Sequence, residues 1–382
     1  MNKITTRKIV IVNQATNYLT IGFCNAFYEK FEDVTLITAN IHQQGEALHP
    51  SIKIKNIVKW IERPAYKKML RYLQALFSIY FLLLFKYRKH EVFFVSIPPM
   101  AYLLTIVLPN RFSMVIWDVY PDVFKITGMK EKHILYRTWA YLNTKAFTKA
   151  YRLFTIGDRM ADLVAQYVTR DKIIIQPIWS IFQANDKVEK DKNPFIAKHQ
   201  LQDKFIVQYS GNIGLTHKVE VVVALATLLK DEKDIVFQII GRGSRVPHLQ
   251  QLVAEKQLPN CTFLPFQTDE MFPYSLSAAD LGIVILDELT SKGSVPSKSY
   301  NLMSYGIPSL YIASSDSELY NYAAIYGHAK CYSESELEIA ANFILQLKKD
   351  AAFQKSLSEK AEIAALNFRR DNADKFISFY SN

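Results

Sequence analysis

Cysteine is scarce in this sequence, which contains only Cys24, Cys261 and Cys331 among 382 residues. Three widely spaced thiols form neither a disulfide framework nor a zinc site, so folds that depend on either are excluded. The low cysteine content predicts a reduced, cytoplasmic setting.

Long hydrophobic runs are lacking as well. The stretch MNKITTRKIVIVNQ contains only a four-residue apolar run, which is too short for the core of a signal peptide. The longest apolar run, LQALFSIYFLLLF at 73–85, has 13 residues, whereas about 18–20 residues are needed to span a bilayer. We therefore expect neither a secretion signal nor a membrane-spanning helix.

Acidic residues are sparse in the first half of the chain. Residues 1–180 contain 25 lysines and arginines against 12 aspartates and glutamates, and the remaining residues contain 21 against 24. This asymmetry indicates that the first half faces an anionic partner, either nucleic acid or an acidic membrane surface. Aromatic RNA-binding motifs are absent, and a basic patch without them does not predict nucleic-acid binding.

Short β-branched runs, such as KIVIV at 8–12, alternate with helical segments along the chain. This alternation predicts an α/β fold with parallel sheets covered by helices on both faces. A polar stretch at 181–200 interrupts the alternation and is predicted to be a linker. We expect a first domain at 1–180, a second at 201–365, and a C-terminal helix at 366–382 that packs back on the first domain.

Two turns that follow predicted strands of the second domain are rich in glycine. In FIVQYSGNIGLTHKVE, Gly211, Asn212 and Gly214 lie between a strand and a helix, where a phosphate can approach the backbone. In FQIIGRGSR, Gly241 and Gly243 also follow a strand. Neither turn completes the G-x-G-x-x-G pattern, so dinucleotide binding is not predicted. A simple tight turn would explain either pair of glycines equally well.

A third turn, GSVPSKSYN, places Ser297 and Lys298 at the start of a helix. A lysine there opposes the helix dipole, at a cost of roughly a few tenths of a kcal/mol. A bound diphosphate would reverse that effect, because it accepts hydrogen bonds from both the ammonium group and the helix N–H groups. The three turns are expected at one carboxyl edge of a parallel sheet, where ligands bind.

The second half carries a recognisable order of segments: YSGNIG, FQIIGRG, NCTFLPF, SLSAADLGIVIL and VPSKSYNLMSYGIPSLYIA. Together they resemble the donor domain of a GT-B-fold glycosyltransferase, similar to the retaining family 4 and in particular to its bacterial surface-polysaccharide members. In the first half, VIWDVYPDVFKITG resembles the D-x-x-P segment of such enzymes. The resemblance covers most of the chain and implies two doubly wound Rossmann-like domains that face a central cleft.

The resemblance also implies a nucleotide-sugar donor, with UDP as the expected nucleotide, and no further cofactor. Carried over residue by residue, Ser297 and Lys298 would bind the phosphates, and Lys298 would neutralise the departing diphosphate. His217 and Lys218 are weaker candidates for that task, or ordinary residues of a helix start. The donor-binding set implied by the resemblance is Gly211, Asn212, Gly214, His217, Lys218, Gly241, Arg242, Gly243, Ser297, Lys298 and Asn301.

The sequence departs from the family at two positions. Members usually place a glutamate five residues before the glycine that corresponds to Gly306, where it holds the ribose hydroxyls, but Asn301 stands there. Gly293 replaces the partner acid eight residues earlier. Asn301 still hydrogen-bonds a hydroxyl group, although without the assistance of a charge. A donor unusual for the family is compatible with this change.

Candidate acceptor residues follow strands of the first domain. Asp118 and Asp122 lie in IWDVYPD, after an apolar strand. A carboxylate there would take a proton from the acceptor hydroxyl or orient the acceptor. Asp118 is the catalytic candidate, whereas Asp122 would contact the acceptor or cap a helix. Thr16 and Asn17 would hydrogen-bond sugar hydroxyls or form a polar turn and cap.

The segment at 63–90 has basic clusters at both ends of an apolar helix. Basic ends, tyrosines and an apolar middle are typical of a helix at an anionic membrane surface. The same helix is expected to pack on the sheet, with Leu76, Phe77 and Leu83 as candidate core residues. We predict a peripheral association with the inner face of the cell membrane through the basic rim.

The predicted function is transfer of a hexose from a nucleotide-sugar to a lipid-linked or cell-envelope saccharide, such as lipopolysaccharide or capsule, with retention. No D-x-D motif occurs, and pairs such as Asp118/Asp122 and Asp231/Asp234 are spaced more widely, so no metal requirement is expected. Two alternatives stay open. One is a soluble nucleotide-sugar epimerase of the same fold, and the other is a membrane-associated scaffold with a degenerate site.

Overall fold

A computed structural model of the chain describes residues 5–59, 61, 64–95, 97–182, 187–214, 218–287 and 291–380. The chain divides into two compact units: residues 1–181 together with 370–382, and residues 182–369. Each unit is built around one parallel sheet, as the alternation of apolar strands and helices predicts.

The first unit is built on a parallel sheet whose central strands are fully buried. Ile9, Val10 and Ile11 have no exposed surface, which explains a continuous rather than alternating apolar pattern. The strands are β1 (Thr5–Val12), β2 (Ala15–Thr16), β3 (Phe31–Thr38), β4 (Asn40–Ile41), β5 (Lys53–Asn56), β6 (Glu91–Val95), β7 (Phe112–Ile116), β8 (Arg152–Thr155) and β9 (Ile173–Ile175). Seven of them form one sheet in the order β5-β3-β1-β6-β7-β8-β9, and β2 pairs with β4.

Four helices follow strands of the first unit: α1 (Tyr18–Lys30), α2 (Ala65–Phe81), α3 (Ile134–Lys149) and α4 (Asp158–Val164). Asn17 caps α1, because its side chain accepts a hydrogen bond from the Thr20 backbone N–H. Phe23 and Phe27 of α1 both place their rings edge-on against Phe93 of β6 at 5.2 Å. These aromatic contacts fix α1 on the centre of the sheet.

The second unit has a parallel sheet in which β10 (Phe205–Asn212) is central. The other strands are β11 (Ile235–Arg242), β12 (Cys261–Leu264), β13 (Leu281–Ile285), β14 (Ser309–Ile312) and β15 (Ala329–Tyr332), in the order β12-β11-β10-β13-β14-β15. The chain therefore winds outward first on one side of β10 and then on the other. This reversal places a topological switch point between β10 and β13.

Helices cover this second sheet: α5 (Pro194–His199), α6 (Glu220–Leu228), α7 (Val246–Glu255), α8 (Phe272–Ser277), α9 (Ser297–Ser304), α10 (Glu318–Tyr326), α11 (Leu337–Lys349) and α12 (Ala351–Ala365). The first of them lies within the predicted linker. The Asn193 side chain caps α5 and Pro194 occupies its first turn. Phe195 and Ile196 are buried with Ile206 of β10, so this part of the polar stretch belongs to the second unit.

The last helix, α13 (Asn372–Ser378), packs on the first unit. The Phe376 ring lies 4.9 Å from the ring of Phe23 in α1 and 4.9 Å from that of Phe154 in β8. Tyr380, which follows the helix, is buried. The end of the chain thus closes the aromatic core over α1.

Helix α2 continues through a π turn at Leu82–Lys86. The resulting span Tyr66–Lys86 has 21 residues, and an 18-residue window within it has a mean hydropathy of 1.3 and is 17% buried. By length and composition alone this helix is sufficient to cross a membrane, which the 13-residue run did not indicate. Helical residues on both sides of that run extend it.

One side of α2 packs on the first unit and the other does not. Ala75, Ile79 and Leu83 are buried, and the expectation for Leu83 is confirmed. Leu76 is half-buried. Phe77 is 64% exposed, so its assignment to the core is wrong. A run of apolar residues does not by itself show which of them face the sheet.

Candidate functional site

The carboxyl edge of the second sheet brings the two glycine turns together. β10 and β11 pair in register to their ends, with Gly211 opposite Gly241 and Asn212 opposite Arg242. A Cβ on Gly241 would lie 1.9 Å from the Gly211 carbonyl oxygen. Both glycines have positive φ, +146° at Gly211 and +154° at Gly241. Glycine is therefore required for the backbone conformation and for the close approach of the turns.

A second contact joins the same turns. A Cβ on Gly243 would lie 2.1 Å from the Ile213 carbonyl oxygen, and the Ile213 N–H donates to the Arg242 carbonyl at 2.9 Å. The side chains of Asn212 and Arg242 are exposed. The Arg242 guanidinium lies over the Phe266 ring, 5.5 Å from its centroid. The turns thus form a backbone surface with polar side chains at its rim.

Lys298 lies against this surface. Its stem packs on Gly211, since a Cβ there would lie 2.4 Å from Lys298 Cε. The Lys298 ammonium donates to the Tyr209 hydroxyl at 2.8 Å and lies 4.1 Å from the centroid of that ring. Burial lowers the pKa of Lys298 to about 7, because desolvation disfavours the charged form. Within the described part of the chain Lys298 forms no ion pair.

Gly211 and Lys298 flank the topological switch point of the second sheet. Gly211 is the last residue but one of β10, and Lys298 is the second residue of α9, which follows β13. Helix α9 begins after Pro296 without a side-chain cap, and Ser297 is exposed. Its first backbone N–H groups are therefore available to an anion.

The two positions that depart from the family pattern are both near α9. Asn301 lines a cavity of about 30 Å³ together with Lys298, Gln208 and Ser210. Gly293 is buried in the short turn Ser291–Gly293 that precedes α9. Asn301 is thus placed beside the ammonium-bearing side chain, whereas Gly293 is inside the protein.

Lys218 differs from Lys298 in its surroundings. Its ammonium nitrogen lies 2.8 Å from Glu334 Oε1 and 3.9 Å from Asp287 Oδ2. The positive charge is therefore balanced by two carboxylates within the protein. His217, the neighbouring candidate, lies outside the described residues.

Asp118 and Asp122, both after β7, have different environments. Asp118 has exposed surface, but the protein atoms packed around its carboxyl group desolvate it and raise its pKa to about 6. Asp122 is 5% exposed and accepts hydrogen bonds from the hydroxyls of Tyr136 at 2.7 Å and Tyr167 at 2.6 Å. Lys125 lies 2.8 Å from the same carboxylate. The oxygens of Asp122 are thus engaged in holding the first unit together.

Thr16 and Asn17 are engaged locally as well. Thr16 is 2% exposed, and its hydroxyl lies 2.9 Å from that of Thr38. Asn17 accepts from the Thr20 backbone N–H at 3.3 Å as the cap of α1. These contacts fit the polar turn and cap. Acceptor binding by either side chain stays a prediction.

Sequence reasoning missed two features of these sites. The contact of Tyr209 with Lys298 was not predicted, because a tyrosine within an apolar strand is typical of a core residue. A second feature supports the Asp118 turn: Asn143 donates to the Tyr120 carbonyl at 2.5 Å and accepts from the Tyr102 hydroxyl at 2.7 Å.

Among the described residues, no group of three or more His, Cys, Asp and Glu side chains is placed to bind a metal ion.

No protein-family model matches the chain. It is 27% identical over 222 residues to WbjE of Pseudomonas aeruginosa, covering 57% of this chain and 54% of that protein. It is 28% identical over 182 residues to WcaI of Escherichia coli K12, covering 47% and 44%. Both are named as glycosyltransferases, WcaI in colanic acid biosynthesis. The chain thus spans about half the length of the curated relatives it matches.

Solved structures show the same fold. HepE of Anabaena, in complex with UDP and glucose, matches with a TM-score of 0.73 and 12% identity over 97% of this chain and 98% of that one. WaaG, a glycosyltransferase involved in lipopolysaccharide biosynthesis, matches with a TM-score of 0.71 and 13% identity over 98% and 100%. The predicted fold class, GT-B with two doubly wound domains, is confirmed. So is the predicted similarity to bacterial polysaccharide glycosyltransferases.

The contact between the two glycine turns gives a first prediction. Gly241→Ala should destabilise the second unit by several kcal/mol, because the new Cβ would meet the Gly211 carbonyl oxygen. This is more than the roughly 1–2 kcal/mol that a left-handed backbone conformation costs an alanine. Gly327→Ala is the matched control, since Gly327 has φ +66° but a Cβ there would meet nothing nearer than Lys360 Cδ at 3.6 Å. Urea unfolding measures both variants. Equal midpoints would show that the turns do not touch.

Proposed function

We propose that the protein is a metal-independent glycosyltransferase that moves a hexose from a UDP-sugar to a lipid-linked or cell-envelope saccharide with retention. The observation that carries the proposal is the contact of Lys298 with the Gly211 turn at the switch point of the second sheet. The glycosyltransferase names of WbjE and WcaI and the UDP bound to HepE support it.

The chemistry follows from the charges at this edge. The diphosphate would lie against the Gly211 turn and the uncapped start of α9, with Lys298 as its counter-ion. When the bond between the anomeric carbon and the diphosphate oxygen breaks, the electron pair stays on that oxygen, and the ammonium stabilises the new charge. The acceptor oxygen bonds to the anomeric carbon and loses its proton to a general base, the role that the sequence predicts for the Asp118 carboxylate.

We further propose that α2 attaches the protein peripherally to the inner face of the cell membrane. Its exposed side carries large apolar residues, among them Phe77, Phe81 and Phe85, which are 64%, 51% and 74% exposed. Lysines and arginines flank this side at both ends: Lys67, Lys68, Arg71, Lys86, Arg88 and Lys89. An apolar stripe between basic ends fits the interface of an anionic bilayer.

The connections of α2 favour a position in the membrane surface rather than across it. β5 precedes the helix and β6 follows it, and both belong to the same sheet. A helix that crossed the bilayer would place these strands on opposite sides. In addition, Ala75, Ile79 and Leu83 are buried against the first unit, so only one side of α2 is open to lipid.

Removing the ammonium tests the proposed enzyme. Lys298→Ala should lower turnover by on the order of 10²-fold, the usual loss for one charge-stabilising donor. Turnover is measured as nucleoside diphosphate released from the corresponding nucleotide-sugar. A thermal-shift screen of UDP, GDP, ADP and TDP identifies the nucleotide, because a ligand at about 100 times its Kd stabilises the fold by about 2.7 kcal/mol.

The matched control is Lys292→Ala, because Lys292 is exposed and pairs with Asp316 at 2.7 Å. It should keep wild-type turnover. Unchanged turnover in Lys298→Ala would refute the role of that lysine. If none of the four nucleoside diphosphates shifts the melting temperature, the scaffold alternative is favoured instead.

The affinity for UDP should depend on pH through Lys298. The free ammonium has a pKa of about 7, and a bound diphosphate would raise that pKa, so binding takes up a proton above pH 7. Affinity should then fall about tenfold per pH unit between about pH 7.5 and about pH 8.5. Calorimetry in buffers of different ionisation enthalpy measures the proton uptake. In Lys298→Ala the fall of affinity above about pH 7.5 should disappear, and only the titration of UDP itself should remain. An unchanged fall of affinity in this variant would contradict the assignment.

Membrane attachment is tested by flotation with vesicles of phosphatidylethanolamine and phosphatidylglycerol. Phe77→Glu should reduce binding by on the order of tenfold, because it removes a large apolar side chain from the interface and adds a negative charge. Gln74→Glu adds the same charge at an exposed position of the same helix without removing apolar surface, and should bind far better than Phe77→Glu. Failure of the wild-type protein to float would favour the soluble epimerase.

A further inference from the structure

Tyr209 connects the two parts of the candidate donor site. It lies on β10 with no exposed surface. Its hydroxyl accepts a hydrogen bond from the Lys298 ammonium at 2.8 Å and donates one to the Asn212 carbonyl at 2.7 Å. The same ring lies beneath the ammonium, 4.1 Å from centroid to nitrogen. One side chain therefore touches both the lysine and the glycine turn.

The other described side chains that line the cavity beside Lys298 are uncharged. The cavity next to it is lined from β10 by Gln208 and Ser210, from α9 by Asn301, and by apolar residues of three elements: Phe272, Leu276, Ile283 and Leu302. None of these groups titrates. Among the described residues, Tyr209 is thus the titratable group that faces the ammonium, and desolvation raises the pKa of its hydroxyl, so it stays neutral.

Resting on the proposed function, we propose that Tyr209 is a positioning residue of the donor site. Its neutral hydroxyl holds the Lys298 ammonium beside the Gly211 turn, so that the diphosphate becomes the counter-ion. A carboxylate in the place of Tyr209 would fix the ammonium equally well but would neutralise it and compete with the phosphates. A phenol fixes the group and leaves its charge uncompensated.

The Asn212 hydrogen bond extends this role to the turn. Because the hydroxyl donates to the Asn212 carbonyl, its lone pairs are directed towards the lysine. The turn and the ammonium are thereby held in one relative position before the donor binds. Preorganisation of this kind lowers the cost of ordering both groups on binding.

The test is calorimetric titration of the full-length protein with UDP across the pH range. Tyr209→Phe keeps the ring but removes the hydroxyl. UDP affinity at pH 7 should fall by on the order of tenfold. The pH above which affinity declines should also move downward, because the charged lysine loses an acceptor. In the double variant with Lys298→Ala, the two losses should be far from additive.

Tyr311→Phe is the matched control. Tyr311 is also fully buried, on β14, and its hydroxyl is hydrogen-bonded to His328 Nε2 at 2.7 Å. Removing its hydroxyl should cost stability while leaving UDP affinity and its pH profile unchanged. A second variant carries 3-fluorotyrosine at position 209, which keeps the shape and hydroxyl but weakens the acceptor. It should move the pH profile in the same direction as Tyr209→Phe, by less.

The outcomes separate this inference from the proposed function. If Lys298→Ala weakens UDP binding but Tyr209→Phe leaves affinity and pH profile unchanged, or if the losses add, the positioning role is overturned and the donor site stands. If the wild-type protein binds none of the four nucleoside diphosphates, the proposed function itself is refuted and this inference falls with it.

Discussion

The packing of the Lys298 side chain against two glycine turns is the constraint on which the second unit's edge depends. The Lys298 stem occupies the space where Gly211 would carry a Cβ, and the Gly211 carbonyl occupies the space where Gly241 would carry one. Placing the lysine there therefore requires glycine at two positions on adjacent strands. The contact of Lys298 with Gly211 and that of Gly211 with Gly241 thus connect the residue types of three separate turns.

The contrast with Lys218 shows why one lysine and not the other suits an anion. Lys218 lies within 4 Å of two carboxylates, so a phosphate would have to displace protein ligands to reach it. The described side chains that line the cavity beside Lys298, and Tyr209 beneath its ammonium, carry no charge. A buried charge without a partner is costly, and a site of this kind recovers that cost only when an anion binds. The sequence spacing of the two lysines relative to their turns does not distinguish them.

Much of the architecture follows from local sequence, and the exceptions have physical causes. The parallel sheets are predictable from apolar runs such as Ile9–Val12, because strands buried on both faces need apolar residues throughout. Convergence of the turns follows from that, since carboxyl ends of parallel strands share an edge. Helix α5 was not predicted, because it is short and, after its cap and proline, contains only two buried side chains, Phe195 and Ile196. Phe77 was misassigned because hydrophobicity does not specify which side of a helix meets the sheet.

Side-chain chemistry was harder to predict than the backbone, as the two aspartates after β7 show. Asp118 and Asp122 are four positions apart, but it is Asp122 whose carboxylate accepts hydrogen bonds from two tyrosines and pairs with a lysine. Those partners come from distant positions, Tyr136 and Tyr167, which no local pattern connects to the aspartate. Acceptor activation by Asp118, whose surface is exposed, stays a prediction.

The asparagine at position 301 also leaves Lys298 without a carboxylate among the described residues that line the cavity beside it. Asn301 lines the cavity that also contains Lys298. A glutamate in its place would put a negative charge in a small, poorly hydrated space beside the ammonium, where the two charges would interact strongly. The lysine would then have a counter-ion within the protein, and a diphosphate would gain less from it. Asn301 and Tyr209 are instead neutral neighbours of Lys298. In the proposed donor site, the counter-charge of the lysine would therefore come from the phosphates.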